Sequence, residues 1–164
     1  MLVLAGDDFS LPTLLQEHNV SADVISQLTR YGCCCLDDLI TLVSQGDLHE
    51  ELKKAGVTKL GQRAKLASLV QPYWKALALK EQGNALYRDG WFDAAVDIYT
   101  KAIDSMSCPS VDVALTCYSN RSACYQQMRE PEAALKDVLH ILRFDPKNEK
   151  ALKRKTVCEQ AIQW

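Results

Sequence analysis

The sequence lacks any apolar run long enough to cross a membrane, for which a helix needs about 20 consecutive apolar residues. Its apolar start, residues 2–5, is too short for the core of a secretory signal peptide. We therefore expect a cytoplasmic protein with no membrane partner, and a nuclear location is the alternative.

An excess of one charge is also missing, since 19 lysines and arginines stand against 21 aspartates and glutamates in 164 residues. A formal net charge of −2 disfavours a protein that binds nucleic acid or membranes over its whole surface. Residues 147–155 form one short basic stretch, which leaves RNA binding as a minor alternative, although no aromatic stacking platform accompanies it.

Cysteine pairs of the C-x-x-C type do not occur among the seven cysteines, and three cysteines are consecutive, at positions 33–35. Neither a disulfide framework nor a zinc motif is therefore indicated, and a reducing compartment fits this pattern. No histidine lies close enough to residues 33–35 to complete a ligand set, so we expect no metal site. Cys117 and Cys124 are seven residues apart and should pack as small apolar side chains.

Catalytic motifs are missing as well. His18, His49 and His140 have no serine or cysteine partner at a recognisable spacing, and the sequence contains no glycine-rich phosphate loop. We expect a protein that is not an enzyme and that uses no cofactor.

Helical periodicity, by contrast, fills nearly the whole sequence, and no window alternates as a strand does. Over residues 11–67 the apolar stripes predict five short helices. The first stripe extends to His18, and the second, third and fourth helices should end near Gly32, Gly46 and Gly56. The residues expected to cap these helices are Ser10, Ser21, Asp47 with Glu50, and Thr58. Pro72 should break or kink a helix just before it, which predicts a domain junction there.

Residues 52–66, LKKAGVTKLGQRAKL, resemble the end of a sterile alpha motif (SAM) domain, with its Gly-hydrophobic-Thr turn and its Leu-Gly-x-Arg start of the last helix. The resemblance implies a five-helix bundle over residues 8–70 that associates head to tail, with itself or with another SAM domain. The possible interface has an acidic and a basic set: Asp37, Asp38, Glu50 and Glu51, and Lys59, Arg63 and Lys65. Opposite charges on two faces permit contacts that do not close into a ring, and ordinary surface charge is the alternative interpretation.

Small residues recur in the second half at a fixed spacing. Gly83 and Ala95 are twelve residues apart, as are Ser122 and Ala134, and each pair suits a close approach of two antiparallel helices. Gly83 and Ser122 are 39 residues apart. A tetratricopeptide repeat has a period of about 34 residues, so the extra residues should lie in the turn-rich segment 105–112.

Three strings, KEQGNALY at 80–87, GWFDAA at 90–95 and YSNRSACY at 118–125, resemble the tetratricopeptide (TPR) family. The resemblance implies a TPR domain over residues 75–164, with repeats at about 76–109 and 115–148 and a capping helix at 149–164. Together with the first half, this predicts an all-α protein: a five-helix SAM bundle followed by a short TPR helical-repeat stack.

The resemblance also implies a carboxylate clamp of the type found in co-chaperones. Its residues would be Lys80, Asn84, Asn120, Lys150 and Arg154. The implied ligand is the free Glu-Glu-Val-Asp C-terminus of the ninety- and seventy-kilodalton heat-shock chaperones, with Tyr87 as a possible groove wall beside the penultimate valine. Residues four apart share one helix face, so Lys80 with Asn84, and Lys150 with Arg154, can each act on one target.

Two other interpretations stay open. The protein can be a scaffold in which SAM assembly dominates and the TPR groove binds a different acidic peptide. The cations of the predicted clamp can also be ordinary surface charges, since most lysines on a helix are solvated. Asn84 and Asn120 argue for the clamp, because asparagine is unfavourable in a helix interior unless its side chain has a local partner.

Overall fold

A computed structural model describes residues 11–44, 48–106 and 112–163, and in these ranges the chain forms nine helices and no strand. The prediction of an all-α protein is thus confirmed. The helices are α1 (Leu11–Glu17), α2 (Ala22–Arg30), α3 (Leu36–Ser44), α4 (Leu48–Lys54), α5 (Leu60–Arg88), α6 (Phe92–Asp104), α7 (Asp112–Gln127), α8 (Pro131–Phe144) and α9 (Glu149–Ile162). The chain divides into two compact units, Met1–Trp74 and Lys75–Trp164.

Pro72 lies inside α5, which continues to Arg88, so the helix does not break before this proline. The boundary between the two compact units lies two residues later, after Trp74. Proline removes one backbone hydrogen bond from a helix interior. Its neighbours Leu69, Val70 and Tyr73 are buried in the first unit. Their burial on one face of α5 explains why the helix persists through the proline.

The first unit has an apolar core, and each of the helices α1 to α5 contributes buried side chains to it. Fully buried members include Leu15, Leu28, Leu39, Leu52 and Leu66. Gly32 and Gly56 follow the ends of α2 and α4 with φ of 100° and 92°. Glycine adopts these left-handed angles without steric cost, and the predicted helix ends at both glycines are confirmed.

The predicted helix starts in this unit are met only in part. Ser21 is the N-cap of α2, but its side chain makes no capping hydrogen bond, and its amide instead donates to Gln62 Oε1 at 3.2 Å. Thr58 lies two residues before Leu60, where α5 begins, and therefore one residue before the cap position. α1 ends one residue before His18. Ser10, Gly46 and Asp47 lie outside the described residues.

In the second unit, α6 packs on α7, α7 on α8, and α8 on α9. The four small residues at the predicted close approaches are all buried: Gly83, Ala95, Ser122 and Ala134. A Cβ atom on Gly83 would lie only 2.6 Å from Cε1 of Tyr99. Any side chain at position 83 would therefore push the Tyr99 ring out of its place against α5.

Cys117 and Cys124 are fully buried in the core of the second unit, which confirms their predicted packing role. Burial raises the pKa of both thiols to about 11. Both cysteines are thus protonated at neutral pH and behave as apolar side chains.

A buried ion pair connects α6, α7 and α8. Arg121 donates from Nε and Nη2 to the two carboxylate oxygens of Asp137, at 2.8 and 2.6 Å, and from Nη1 to Thr100 Oγ1 at 2.8 Å. Asp137 is only 4% exposed. This bidentate pair holds the part of α7 that carries the neighbouring Asn120.

Candidate functional site

Two of the predicted clamp residues meet directly across the repeats. Asn120 on α7 donates from Nδ2 to Oδ1 of Asn84 on α5, at 2.8 Å. The two residues are 36 positions apart in the chain. Gly83, which has no side chain, directly precedes Asn84 and lets the Tyr99 ring lie close to α5. The small, buried Ser122 lies two residues after Asn120 on α7.

Tyr99 on α6 fixes the orientation of the Asn84 amide. Its hydroxyl donates to Asn84 Oδ1 at 2.7 Å. Burial raises the pKa of Tyr99 well above its usual value, so the hydroxyl remains a donor. Because Oδ1 of Asn84 accepts from both Tyr99 and Asn120, Nδ2 of Asn84 points to the other side, where it donates to Glu81 Oε2 at 3.3 Å.

Lys80 lies one helical turn before Asn84 and pairs with Glu81. Its Nζ is 3.0 Å from Oε1 of Glu81. The lysine side chain is 19% exposed, whereas the glutamate side chain is 67% exposed. Hydrogen bonds from Lys80 and then from Asn84 lower the pKa of Glu81, which is therefore ionised at neutral pH.

A cavity of about 390 Å³ opens beside these residues. It is lined by Glu81, Asn84, Tyr87, Arg88, Tyr99, Asn120 and Ala123. Tyr87, predicted as a groove wall, is thus part of the lining, and its ring packs edge-on against Phe92 with the centroids 5.4 Å apart. Lys80, Lys150 and Arg154 are not among the residues that line this cavity.

Arg154 on α9 contacts α7 rather than the asparagine pair. Its Nε donates to Gln126 Oε1 at 2.9 Å, and its Nη1 donates to the carbonyl oxygen of Ser119 at 2.7 Å and to Ser122 Oγ at 2.8 Å. The guanidinium therefore lies next to Ser119, which directly precedes Asn120. These contacts leave Nη2 as the nitrogen that can donate to a ligand.

Lys150 is exposed in the first turn of α9. The turn is capped by Asn148, whose Oδ1 accepts from the amide of Ala151 at 3.0 Å. Lys150 and Arg154 are one turn apart on this helix, as their spacing predicts. The structure thus brings Asn84, Asn120 and Tyr87 together, holds Lys80 through Glu81, and places Arg154 against the neighbouring helix.

Four residues that line this cavity were not predicted from the sequence: Glu81, Arg88, Tyr99 and Ala123. Glu81 lies three residues before Asn84 and Arg88 four residues after it, so helical spacing alone puts both on the face of Asn84. The hydroxyl contact of Tyr99 with Asn84 depends on how α6 packs on α5, and no local spacing indicates it.

The acidic residues of the predicted SAM interface make local contacts. Glu50 and Glu51 pair with Lys53 and Lys54 of the same helix, at 3.8 and 2.6 Å. Asp38 accepts hydrogen bonds from the amides of residues 34 and 35 at 2.8 and 2.9 Å, and these bonds, that of Cys35 first, lower its pKa. Asp37 lies beside it in the first turn of α3.

Two of the three basic residues of that interface are bound to backbone carbonyls of the first unit. Arg63 donates from Nη1 to the oxygen of Val57 at 2.9 Å, and Lys65 donates to the oxygen of Asn19 at 2.6 Å. Lys59 is exposed just before α5. Lys59 is therefore the member whose charge can change with the least effect on the fold.

Among residues 11–44, 48–106 and 112–163, no group of three or more His, Cys, Asp or Glu side chains is arranged to hold a metal ion. None of the helices described has both the length and the apolarity that crossing a membrane requires.

Comparison with known proteins finds relatives at low identity over about half of this chain. Heat shock protein STI1 of Saccharomyces cerevisiae is 35% identical over 75 residues, which are 46% of this chain. Mitochondrial import receptor subunit TOM34 of Homo sapiens is 37% identical over 76 residues, also 46% of this chain. Hsp70/Hsp90 co-chaperone cns1 of Schizosaccharomyces pombe is 31% identical over 84 residues, or 51% of it.

The matches cover only a small share of these relatives: 12% of STI1 and 23% of each of the other two. The relatives are TPR proteins, and the similarity supports a TPR domain in this chain. No family model and no solved structure matches the chain significantly.

Proposed function

We propose that residues 75–164 form a TPR domain that binds the free Glu-Glu-Val-Asp C-terminus of the ninety- and seventy-kilodalton heat-shock chaperones. The protein would then be an adaptor without catalytic activity. One relative is named as an Hsp70/Hsp90 co-chaperone and another as a heat shock protein, which supports a chaperone as the partner. The proposal depends most on one observation, the hydrogen bond between Asn84 and Asn120.

The asparagine pair suits the end of an acidic chain. A C-terminal aspartate carries two carboxylates, one on the main chain and one on the side chain. Amide donors from two helices can bind such a group without adding charge, and Tyr99 fixes the direction of the Asn84 amide in advance. Donors that are already oriented lose little freedom on binding.

We expect three cations on α5 and α9 to supply the remaining attraction. Lys80 is held one turn from Asn84, Arg154 lies beside Ser119, and Lys150 is exposed on the same helix as Arg154. Charge-assisted hydrogen bonds contribute about 1.5–3 kcal/mol each. Several such bonds, less the cost of ordering the peptide, correspond to a Kd on the order of micromolar, or about −8 kcal/mol.

The test is a titration of the protein with two peptides that end in Glu-Glu-Val-Asp, one with a free and one with an amidated C-terminus. The free peptide should bind, and the amidated peptide should bind at least tenfold more weakly. Lys150→Glu should weaken binding at least tenfold, whereas Lys153→Glu, the same change at an exposed position of the same helix, should have a much smaller effect. Equal binding of the two peptides would disprove the clamp.

For the first half of the chain we propose a SAM domain, residues 8–70, that self-associates or binds a second partner. The support is the resemblance of residues 52–66, together with the acidic residues on α3 and α4 and the basic Lys59. Sedimentation velocity over a range of concentrations tests self-association. Self-association without binding of the chaperone peptides would favour the alternative of a SAM-driven scaffold. Salt-dependent binding of single-stranded RNA would favour the alternative of an RNA-binding protein.

A further inference from the structure

Among the described residues that line the 390 Å³ cavity, Glu81 is the one carboxylate. Its two oxygens contact two different clamp residues. Oε1 lies 3.0 Å from Nζ of Lys80, and Oε2 accepts a hydrogen bond from Nδ2 of Asn84 at 3.3 Å. The site therefore already holds a carboxylate of the protein itself between Lys80 and Asn84.

These two contacts are the ones that a terminal carboxylate of a bound peptide would make. Lys80 is mostly buried and so has a fixed position, whereas Glu81 is two-thirds exposed and can move into water. Because water can solvate the exposed carboxylate of Glu81, this ion pair contributes less to stability than a fully buried pair would. A peptide carboxylate can consequently replace Glu81 without disturbing the helices around the cavity.

We propose that Glu81 occupies the position of the ligand carboxylate in the free protein and lowers the affinity for acidic C-termini by competing with them. This inference rests on the proposed function of the same site. A displaced Glu81 would still lie one turn from the ligand and repel it. Arg88, seven residues further along α5, lines the same cavity and supplies a positive charge near the displaced carboxylate.

Glu81→Gln tests the proposal, because it keeps the size of the side chain and removes its charge. Two charges about 4 Å apart in water repel enough to change a binding constant roughly fivefold. The variant should therefore bind the free Glu-Glu-Val-Asp peptide roughly fivefold more tightly and the amidated peptide by a smaller factor. The gain should shrink from 0.1 to 1 M salt, as the Debye length falls from about 10 to about 3 Å.

Glu159→Gln is the matched control. Glu159 pairs with Lys155 at 3.6 Å on α9 and does not line the cavity, so the net charge changes equally without the competing contact. Unchanged or weaker binding by Glu81→Gln, with normal binding by the original protein, would overturn this inference alone. A gain of the same size in Glu159→Gln would also overturn it. If neither the original protein nor Glu81→Gln binds the free peptide, the proposed function fails and the inference fails with it.

Discussion

The two units of the chain use polar side chains differently. In the first unit the ion pairs Lys53–Glu50 and Lys54–Glu51 each join residues three positions apart on one helix. In the second unit several such contacts join different helices: Asn84 with Asn120 and Arg121 with Asp137 are 36 and 16 positions apart. Polar contacts on the surface of one helix contribute little, whereas partly buried networks between helices determine how those helices are placed.

This difference indicates where substitutions should matter. In the second unit the residues that position the helices and the residues proposed to bind the ligand adjoin one another, as Arg121 and Asn120 do. A change in this network affects stability and binding together. In the first unit the exposed charges of Lys59 and Glu50 can be changed with little effect on the fold, so that effects on association can be measured separately.

The largest effect is expected from Asp137→Ala. The substitution leaves the guanidinium of Arg121 buried without its charge partner, which typically costs about 3–5 kcal/mol. Glu50→Gln, which removes the ion pair with Lys53 from the surface of the first unit, should change the free energy of unfolding by about 0.5 kcal/mol or less. Denaturant unfolding followed by circular dichroism measures both.

A double variant separates the lost charge partner from the lost packing. Arg121→Met with Asp137→Leu replaces the ion pair by apolar side chains of similar size and should recover much of the stability. Equal losses in Asp137→Ala and Glu50→Gln would contradict the distinction between the two units.

The next effect compares two glycines of α5, one in each unit. Gly83→Ala puts a Cβ atom 2.6 Å from the Tyr99 ring and should destabilise the protein by about 1–3 kcal/mol. A Cβ atom on Gly61 meets nothing within 4 Å. Gly61→Ala should be neutral or stabilise by up to about 1 kcal/mol, since alanine favours a helix. Thermal unfolding of both variants is the measurement, and a destabilised Gly61→Ala would contradict the prediction.

A third effect should appear in binding. Asn120→Ala removes an amide donor proposed to bind the ligand, together with the hydrogen bond to Asn84, and should weaken binding of the free peptide at least tenfold, or about 1.4 kcal/mol. Gln127→Ala, at the exposed end of the same helix, is the control and should bind normally. Titration calorimetry compares the two. Normal binding by Asn120→Ala would remove the main support for the proposed site.

Much of the fold follows from local patterns. Gly32, Gly56 and Gly83 each occupy a position that glycine alone suits, two at helix ends and one under an aromatic ring, and helical periodicity identified the helices around them. Pro72 does not end its helix, because the local rule for proline omits the burial of Val70 and Tyr73 beside it. Packing against distant residues outweighed one lost hydrogen bond.

The site was predictable in position but not in its contacts. Helical spacing placed Lys80 and Asn84 on one face of α5, yet it could not show that Glu81 holds them both. The sequence cannot show whether Arg154 is available to bind a ligand or donates to a backbone carbonyl of another helix. The contact with Ser119 depends on how α9 lies against α7.

The smallest effect concerns the proposed association of the first unit. Lys59→Glu reverses one exposed charge of the basic set and should weaken self-association roughly two- to threefold, the usual size for an exposed ion pair. Lys59 is preferable to Arg63 or Lys65, because those two donate to backbone carbonyls and their replacement would disturb the fold. Lys75→Glu, at an exposed position of α5 in the second unit, is the control. Sedimentation velocity at low and high salt distinguishes them, and a protein that stays monomeric at every concentration and salt would show that these charges mediate no self-association.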